Sequence, residues 1–162
     1  MVVDTSALVA ILKVESDAAE LLLCLSQASS AVISTATLFE AQMVVCSHLG
    51  EAVGLPELEL LLVRANVQTV AFEQSHLHWA LQGWRQFGKG RRRAGLNLGD
   101  CFSYGLAMAL DLPLLFKGND FAHTDVKVAL LNRHSAGDAR VIAQKLQDFA
   151  VFEVLSGPGA GL

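Results

Sequence analysis

Asp4, Glu40, Asp100 and Asp120 are the residues of this chain best suited to chemistry. Asp4 closes the run Met1-Val2-Val3, and Glu40 sits in Thr37-Leu38-Phe39-Glu40-Ala41. Asp100 lies in Leu98-Gly99-Asp100-Cys101-Phe102, and Asp120 follows Leu114-Leu115-Phe116-Lys117-Gly118-Asn119. A carboxylate is costly to bury unless something pairs with it. Four acids in apolar or small-residue surroundings suggest a cluster neutralised by divalent metal, and so metal-dependent chemistry on phosphodiesters. Taken singly, each has a plainer reading. Asp4 and Asp100 suit helix caps, Glu40 a solvated helix position, and Asp120 a turn.

The elements that must position these acids can be read along the chain. Met1 to Asp4 reads as a short buried strand, with Thr5 or Ser6 capping a helix from Ala7 to Lys13. Leu21, Leu22, Leu25 and Ala28 recur at helical spacing within Ser16 to Ala28. Ala31 to Ile33 is a second strand, and Ser34 or Thr35 starts a long helix that Gly50 ends. A helix from Glu57 to Ala65 and a strand from Val67 to Phe72 follow. Glu73 to Phe87 is helical, with Leu77, Leu81 and Trp84 as its apolar stripe. A basic, glycine-bounded loop covers Gly88 to Gly95, helix resumes from Leu98 to Leu110, and Pro113 to Phe116 is an apolar strand. Strands buried on both faces and alternating with helices imply a parallel α/β sheet with right-handed crossovers. Sites in such sheets form at the carboxyl ends of strands, where Asp4 and Asp120 fall. Glu40 and Asp100, near the starts of helices, can project over the same edge.

Composition narrows the class. A chain of 162 residues, 52% apolar and 17% charged, suits one globular domain rather than a disordered segment. No apolar run approaches the roughly 18 residues of a membrane span, and no basic segment precedes the first strand as in a secretory signal. Cys24, Cys46 and Cys101 form no CxxC pair and lie in apolar segments, as reduced core thiols of a cytoplasmic protein do. The net charge of −4 argues against a general basic nucleic-acid binder. It leaves room for a nuclease, because bound cations offset an acidic site. Lys89, Arg91, Arg92 and Arg93 form one basic cluster, near which any phosphate-binding surface is expected.

Other chemistries find no support. His76 and His78 are two apart on a helix and share no face for a soft metal. Ser103 lacks a GxSxG elbow, and no GxxxxGK[ST] loop is present. A phosphatase of the haloacid-dehalogenase type needs a second Asp two residues after the first, and residue 6 is Ser. Trp79, Trp84 and Phe87 read as core or interface rather than as base-stacking platforms.

Several segments resemble a known family. Val2-Val3-Asp4-Thr5-Ser6-Ala7-Leu8 is similar to the start of a PIN-domain ribonuclease. Leu96-Asn97-Leu98-Gly99-Asp100-Cys101-Phe102-Ser103-Tyr104 resembles its VapC branch, the toxins of type II toxin–antitoxin pairs. So does Pro113-Leu114-Leu115-Phe116-Lys117-Gly118-Asn119-Asp120-Phe121 with Thr124-Asp125, and Glu40 has the family's place in the third helix. The resemblance covers residues 1–127 and implies a three-layer α/β/α domain around a central parallel sheet. It implies Mg²⁺ or Mn²⁺ held by Asp4, Glu40, Asp100 and Asp120, with Thr5, Ser6, Asn97, Asn119, Thr124 and Asp125 orienting carboxylates or waters. The implied activity is an endoribonuclease toxin whose metal-activated water leaves 5′-phosphate and 3′-hydroxyl ends. The implied partners are a second copy, as a homodimer, and a VapB-like antitoxin that blocks the acidic groove. The alternative is a PIN-fold module that binds antitoxin or RNA without cleaving it. The chain departs from the family at Arg92-Arg93, where a His-Pro pair is common, and in residues 128–162. That extension is expected to hold an amphipathic helix from Ala139 to Phe149 and a Gly-rich end.

Overall fold

A computed structural model of the chain describes residues 1–91 and 93–129. Arg92 and the expected helix from Ala139 to Phe149 lie outside the described residues. Four strands form one parallel sheet: β1 (Val2–Val3), β2 (Ala31–Ser34), β3 (Val67–Val70) and β4 (Leu114–Leu115), in the spatial order β3-β2-β1-β4. Val2 pairs with Val32 on one side and with Leu114 on the other, and Val3 pairs with Leu115. Val2, Val3, Leu114 and Leu115 are all buried, which is why these two strands carry no polar alternation. β3 lies at the edge and is more exposed.

Helices α1 (Thr5–Leu12), α2 (Ala18–Gln27), α3 (Thr35–Leu49) and α4 (Glu51–Arg64) fill the first two crossovers. Helices α5 (Gln74–Phe87) and α6 (Leu98–Leu110) fill the third. The chain steps outward from β1 to β3, then returns past β1 to β4. With right-handed crossovers, that reversal puts α5 and α6 on the face opposite α1–α4, completing three layers. It also opens a crevice at the carboxyl ends of β1 and β4, the switch point where α/β sheets bind ligands.

The expected elements form, with three informative differences. Asp4, not Thr5 or Ser6, caps α1, and its side chain accepts the Ser6 N–H. α4 starts at Glu51 and runs through Pro56. The buried face of α5 is His76, Ala80, Gly83 and Phe87, whereas Leu77, Leu81 and Trp84 point outward. That face is small at Ala80 and Gly83, where α6 approaches closely. A Cβ at Gly83 would strike the Tyr104 ring, and one at Gly105 would strike the His76 carbonyl and Ala80.

Candidate active site

Each acid is placed by a local rule. Asp4 leaves β1 in an extended conformation (φ −91°, ψ 154°) and is 2% exposed. Its Oδ1 accepts from the Ser6 amide at 2.8 Å and the Ser6 hydroxyl at 2.6 Å. The Ser6 Oγ in turn accepts from the Lys117 amide at 3.0 Å, tying the end of β1 to the turn after β4. Lys117 Nζ is paired with Glu15 and with Asp17, which anchors that turn from α1's far end.

Glu40 lies on the second turn of α3, whose N-cap Ser34 accepts the Thr37 N–H. Thr5 Oγ1 donates to Glu40 Oε2 at 2.7 Å, so the residue after Asp4 holds the Glu40 carboxylate. That carboxylate lies against Gly99, where a Cβ would overlap it. Glycine at the first turn of α6 therefore makes room for an acid from α3. Asp100 is the next residue. Its Oδ2 accepts the Asn97 N–H at 2.7 Å, and Asn97 Oδ1 accepts the Asp100 N–H at 3.0 Å. This reciprocal capping box starts α6 and fixes the carboxylate at once. Asp120 is exposed and precedes the short 3-10 turn Phe121–His123.

The electrostatics report the crowding. Burial pushes the Asp100 carboxyl up to about 6; the Asn97 N–H opposes this, while the charges of Asp4, Asp120 and Glu40 add to it. Burial also raises Glu40, against the Thr5 hydrogen bond and together with the Asp4 charge. The charges of Asp4, Asp120 and Glu40 all act on Asp100, so the four acids share one electrostatic site. Among the described residues, however, no three His, Cys, Asp or Glu side chains converge to hold an ion as they stand. Both observations hold, because charge acts over greater distance than a coordination bond reaches. The donors are all oxygens, as hard divalent cations prefer, and the cluster has the excess negative charge that a cation relieves. The residues fit a divalent metal.

Sequence reasoning misses a set of buried hydroxyls where β2, α3 and α6 meet. Ser34 and Thr37 are buried and lie 2.9 Å apart through their oxygens, and Thr37 Oγ1 lies 3.5 Å from Ser103 Oγ. Their signal was the Ser34-Thr35-Ala36-Thr37 run at a strand end. Three other expected residues stand apart from the carboxylates in their hydrogen bonding. Asn119 contributes its carbonyl to the Ala122 N–H. Thr124 donates to the Phe121 carbonyl at 2.8 Å, and Asp125 accepts from Tyr104 at 2.9 Å. His76 is buried with its Nδ1 accepting the Glu73 N–H, and exposed His78 bonds Gln82. A cleft of about 530 Å³ lined by Leu38, Leu58, Leu62 and Val67 contains none of the four acids.

The basic loop opens directly onto α6. The Leu96 N–H donates to the Phe87 carbonyl at 2.9 Å and the Lys89 N–H to the Leu96 carbonyl at 3.0 Å, closing the loop just ahead of Asn97. Lys89, Arg91 and Arg93 on it are exposed.

A model of the PIN domain matches residues 1–127. The chain belongs to the PIN-domain family. Its PIN domain falls in the VapC branch. Ribonuclease VapC30 of Mycobacterium tuberculosis is 47% identical over 131 residues, covering 81% of this chain and 99% of that protein. Ribonuclease VapC of Mycolicibacterium smegmatis is 49% identical over 126 residues, covering 78% of this chain and 97% of that protein. Among solved structures, the PIN domain matches Mycobacterium tuberculosis VapC20, a sarcin-ricin loop cleaving toxin. The TM-score is 0.61 at 13% identity, over 77% of this chain and 95% of that one. VapBC2 from Rickettsia felis, bound to a DNA fragment from its promoter, matches with TM-score 0.60 at 19% identity, over 78% and 94% of the two chains. At these identities the solved structures speak for the fold, and the curated relatives for the branch. No helix among the described residues is long and apolar enough to cross a membrane.

Proposed function

We propose that this PIN domain is the toxin of a toxin–antitoxin pair, an endoribonuclease that hydrolyses RNA phosphodiesters at Asp4, Glu40, Asp100 and Asp120. The observation that carries the reading is the seating of the Glu40 carboxylate on Gly99, beside Asp100, while Thr5 holds it from the residue after Asp4. Nothing in helix packing requires an acid there.

In this reading the four acids hold Mg²⁺ or Mn²⁺. A cation held there would supply a water of lowered pKa and screening of the charge on the phosphate. The protein's own part is orientation. Ser6 fixes one oxygen of Asp4, Thr5 one of Glu40, and the Asn97 amide one of Asp100, which leaves the second oxygen of each for a ligand. Asp100, its carboxyl pushed up to about 6, would hold a cation less well as pH falls through that value, because proton and metal compete for the same oxygens. Asn119, Thr124 and Asp125 shape the turn that carries Asp120. Lys89, Arg91, Arg92 and Arg93 grip RNA phosphates at the mouth.

The partners proposed are a VapB-like antitoxin, a second copy of this chain and RNA, in the cytoplasm. The antitoxin reading draws support from solved relatives that include a toxin–antitoxin complex from Klebsiella pneumoniae. The deciding experiment is cleavage of a mixed RNA pool by the wild type and Asp100→Asn with Mg²⁺, Mn²⁺ or EDTA. Cleavage by the wild type alone, and only with metal, is expected. Equal activity in both proteins sinks the assignment. A folded, metal-binding protein that cuts none of the pool supports a binding module instead.

A further inference from the structure

Trp84 is 46% exposed, on the outward face of α5 rather than among the core residues His76, Ala80, Gly83 and Phe87. Its indole is held at the root of the basic loop. A Cβ at Gly88 would meet the Trp84 ring and carbonyl, so the bare glycine lets the ring lie against the loop. On the ring sits the Arg91 guanidinium, 4.1 Å from its centroid, with Nη1 reaching the Arg85 carbonyl at 3.4 Å. An exposed cation–π contact and a long hydrogen bond are weak restraints.

The charge around this ring is unusual for the chain. Arg85, Lys89, Arg91 and Arg93, on α5 and the loop that follows it, are four of the 12 Lys and Arg residues in a protein of net charge −4. Among the described residues, Lys13, Lys117 and Lys127 are paired with carboxylates, whereas Arg85, Lys89, Arg91 and Arg93 have no salt bridge. An unneutralised cationic patch around a weakly covered aromatic face, leading into the helix of Asp100, suits a single-stranded nucleic acid. Phosphates take the guanidinium and ammonium groups, and an unpaired base takes the ring.

We propose that Trp84 is a base-stacking platform for single-stranded RNA, uncovered when Arg91 leaves the ring to pair with a phosphate. The proposal rests on the ribonuclease reading and adds to it a substrate feature: an unpaired nucleotide flanking the cut. Duplex RNA, whose bases stack on one another, does not fill the platform.

The test is fluorescence of the full chain carrying Trp79→Phe, so that Trp84 is the one indole, and Asp100→Asn, in EDTA. Titration with a single-stranded oligoribonucleotide is expected to quench Trp84, and the same sequence as a duplex is expected not to. Measured by anisotropy of labelled RNA, Trp84→Ala weakens single-strand binding roughly tenfold while Trp84→Phe keeps most of it. Arg91→Ala lowers the salt dependence of binding by roughly 0.7 in log–log slope, the loss of about one phosphate contact. In the cleavage assay Trp84→Ala raises KM and spares kcat. Single-strand binding without quenching, or unchanged by Trp84→Ala, overturns the platform whether or not the protein cuts RNA. A change of oligomeric state in Trp84→Ala with RNA binding intact also overturns it, and assigns Leu77, Leu81 and Trp84 to a protein contact. Quenching by an uncut RNA upholds the platform even if the ribonuclease reading fails.

Discussion

The Glu40 carboxylate occupies the space that a side chain on residue 99 would need. α3 and α6 therefore meet at the site through an acid on one and a missing methyl on the other. Gly99→Ala separates activity from stability. The methyl pushes the far end of a flexible side chain, and alanine gains about 1 kcal/mol of helix propensity over glycine. The melting temperature is expected to hold or rise. Ribonuclease activity is expected to fall roughly 100-fold, the cost of an ångström-scale misplacement. Equal loss of both, by thermal scan and cleavage assay, counts against the seating.

The raised Asp100 carboxyl gives a pH signature. In the metal-free fold it holds its proton up to about 6, whereas an unfolded aspartate releases it near 3.9. The folded state binds the extra proton between those values. Its contribution to stability is complete below about 4 and lost as pH rises through about 6. Glu40 is shifted the same way. The melting temperature in EDTA should thus decline across this window, and Mg²⁺ should raise it more at pH 7.5 than at pH 5. Asp100→Asn removes most of that difference. Thermal scans at the two pH values, with and without metal, decide.

Ser6 is expected to act through Asp4. Its hydroxyl donates to Asp4 and accepts from the Lys117 amide, so Ser6→Ala cuts two links at once. Partners of this kind, which orient a metal ligand, contribute 10- to 100-fold in metal affinity. Calorimetric titration with Mn²⁺ should show a loss of about that size, and Ser6→Thr should restore much of it. A wild-type isotherm from Ser6→Ala removes the residue from this role.

Gly105→Ala tests the α5–α6 contact that carries Asp100. The new methyl would strike the His76 carbonyl and Ala80, both on the backbone scaffold of α5, which cannot yield as a side-chain tip can. A destabilisation of about 1–3 kcal/mol is expected in urea unfolding. Gly99→Ala serves as the contrast, because there the obstacle is mobile.

The sequence made local features legible and hid those set by distant neighbours. The span of α6 follows from its own cap and periodicity, and Gly50 ends α3 as its conformation requires (φ +77°). The start of α4 was misplaced because Pro56 reads as a helix boundary. The helix survives it because Gly54 packs on the Val45 carbonyl and Leu58 and Leu61 are buried. On α5, apolarity named the wrong face. Leu77, Leu81 and Trp84 look inward by composition, yet close packing against α6 selects the small residues. At the site, the acids were evident from their types and surroundings. Gly99, Thr37 and Ser103 were not, since their roles exist only once α3 and α6 meet.

The strand order β3-β2-β1-β4 has a consequence for when the protein becomes dangerous. Synthesis delivers Asp4 and Glu40 early, but Asp100 and Asp120 arrive only with α6 and the turn after β4. β4 must then slide in beside β1, the most sequence-distant pairing in the sheet. On the proposed four-acid site, a ribosome translating this message therefore carries a harmless fragment until nearly the whole domain has emerged. The cutting edge and the finished fold come into being together.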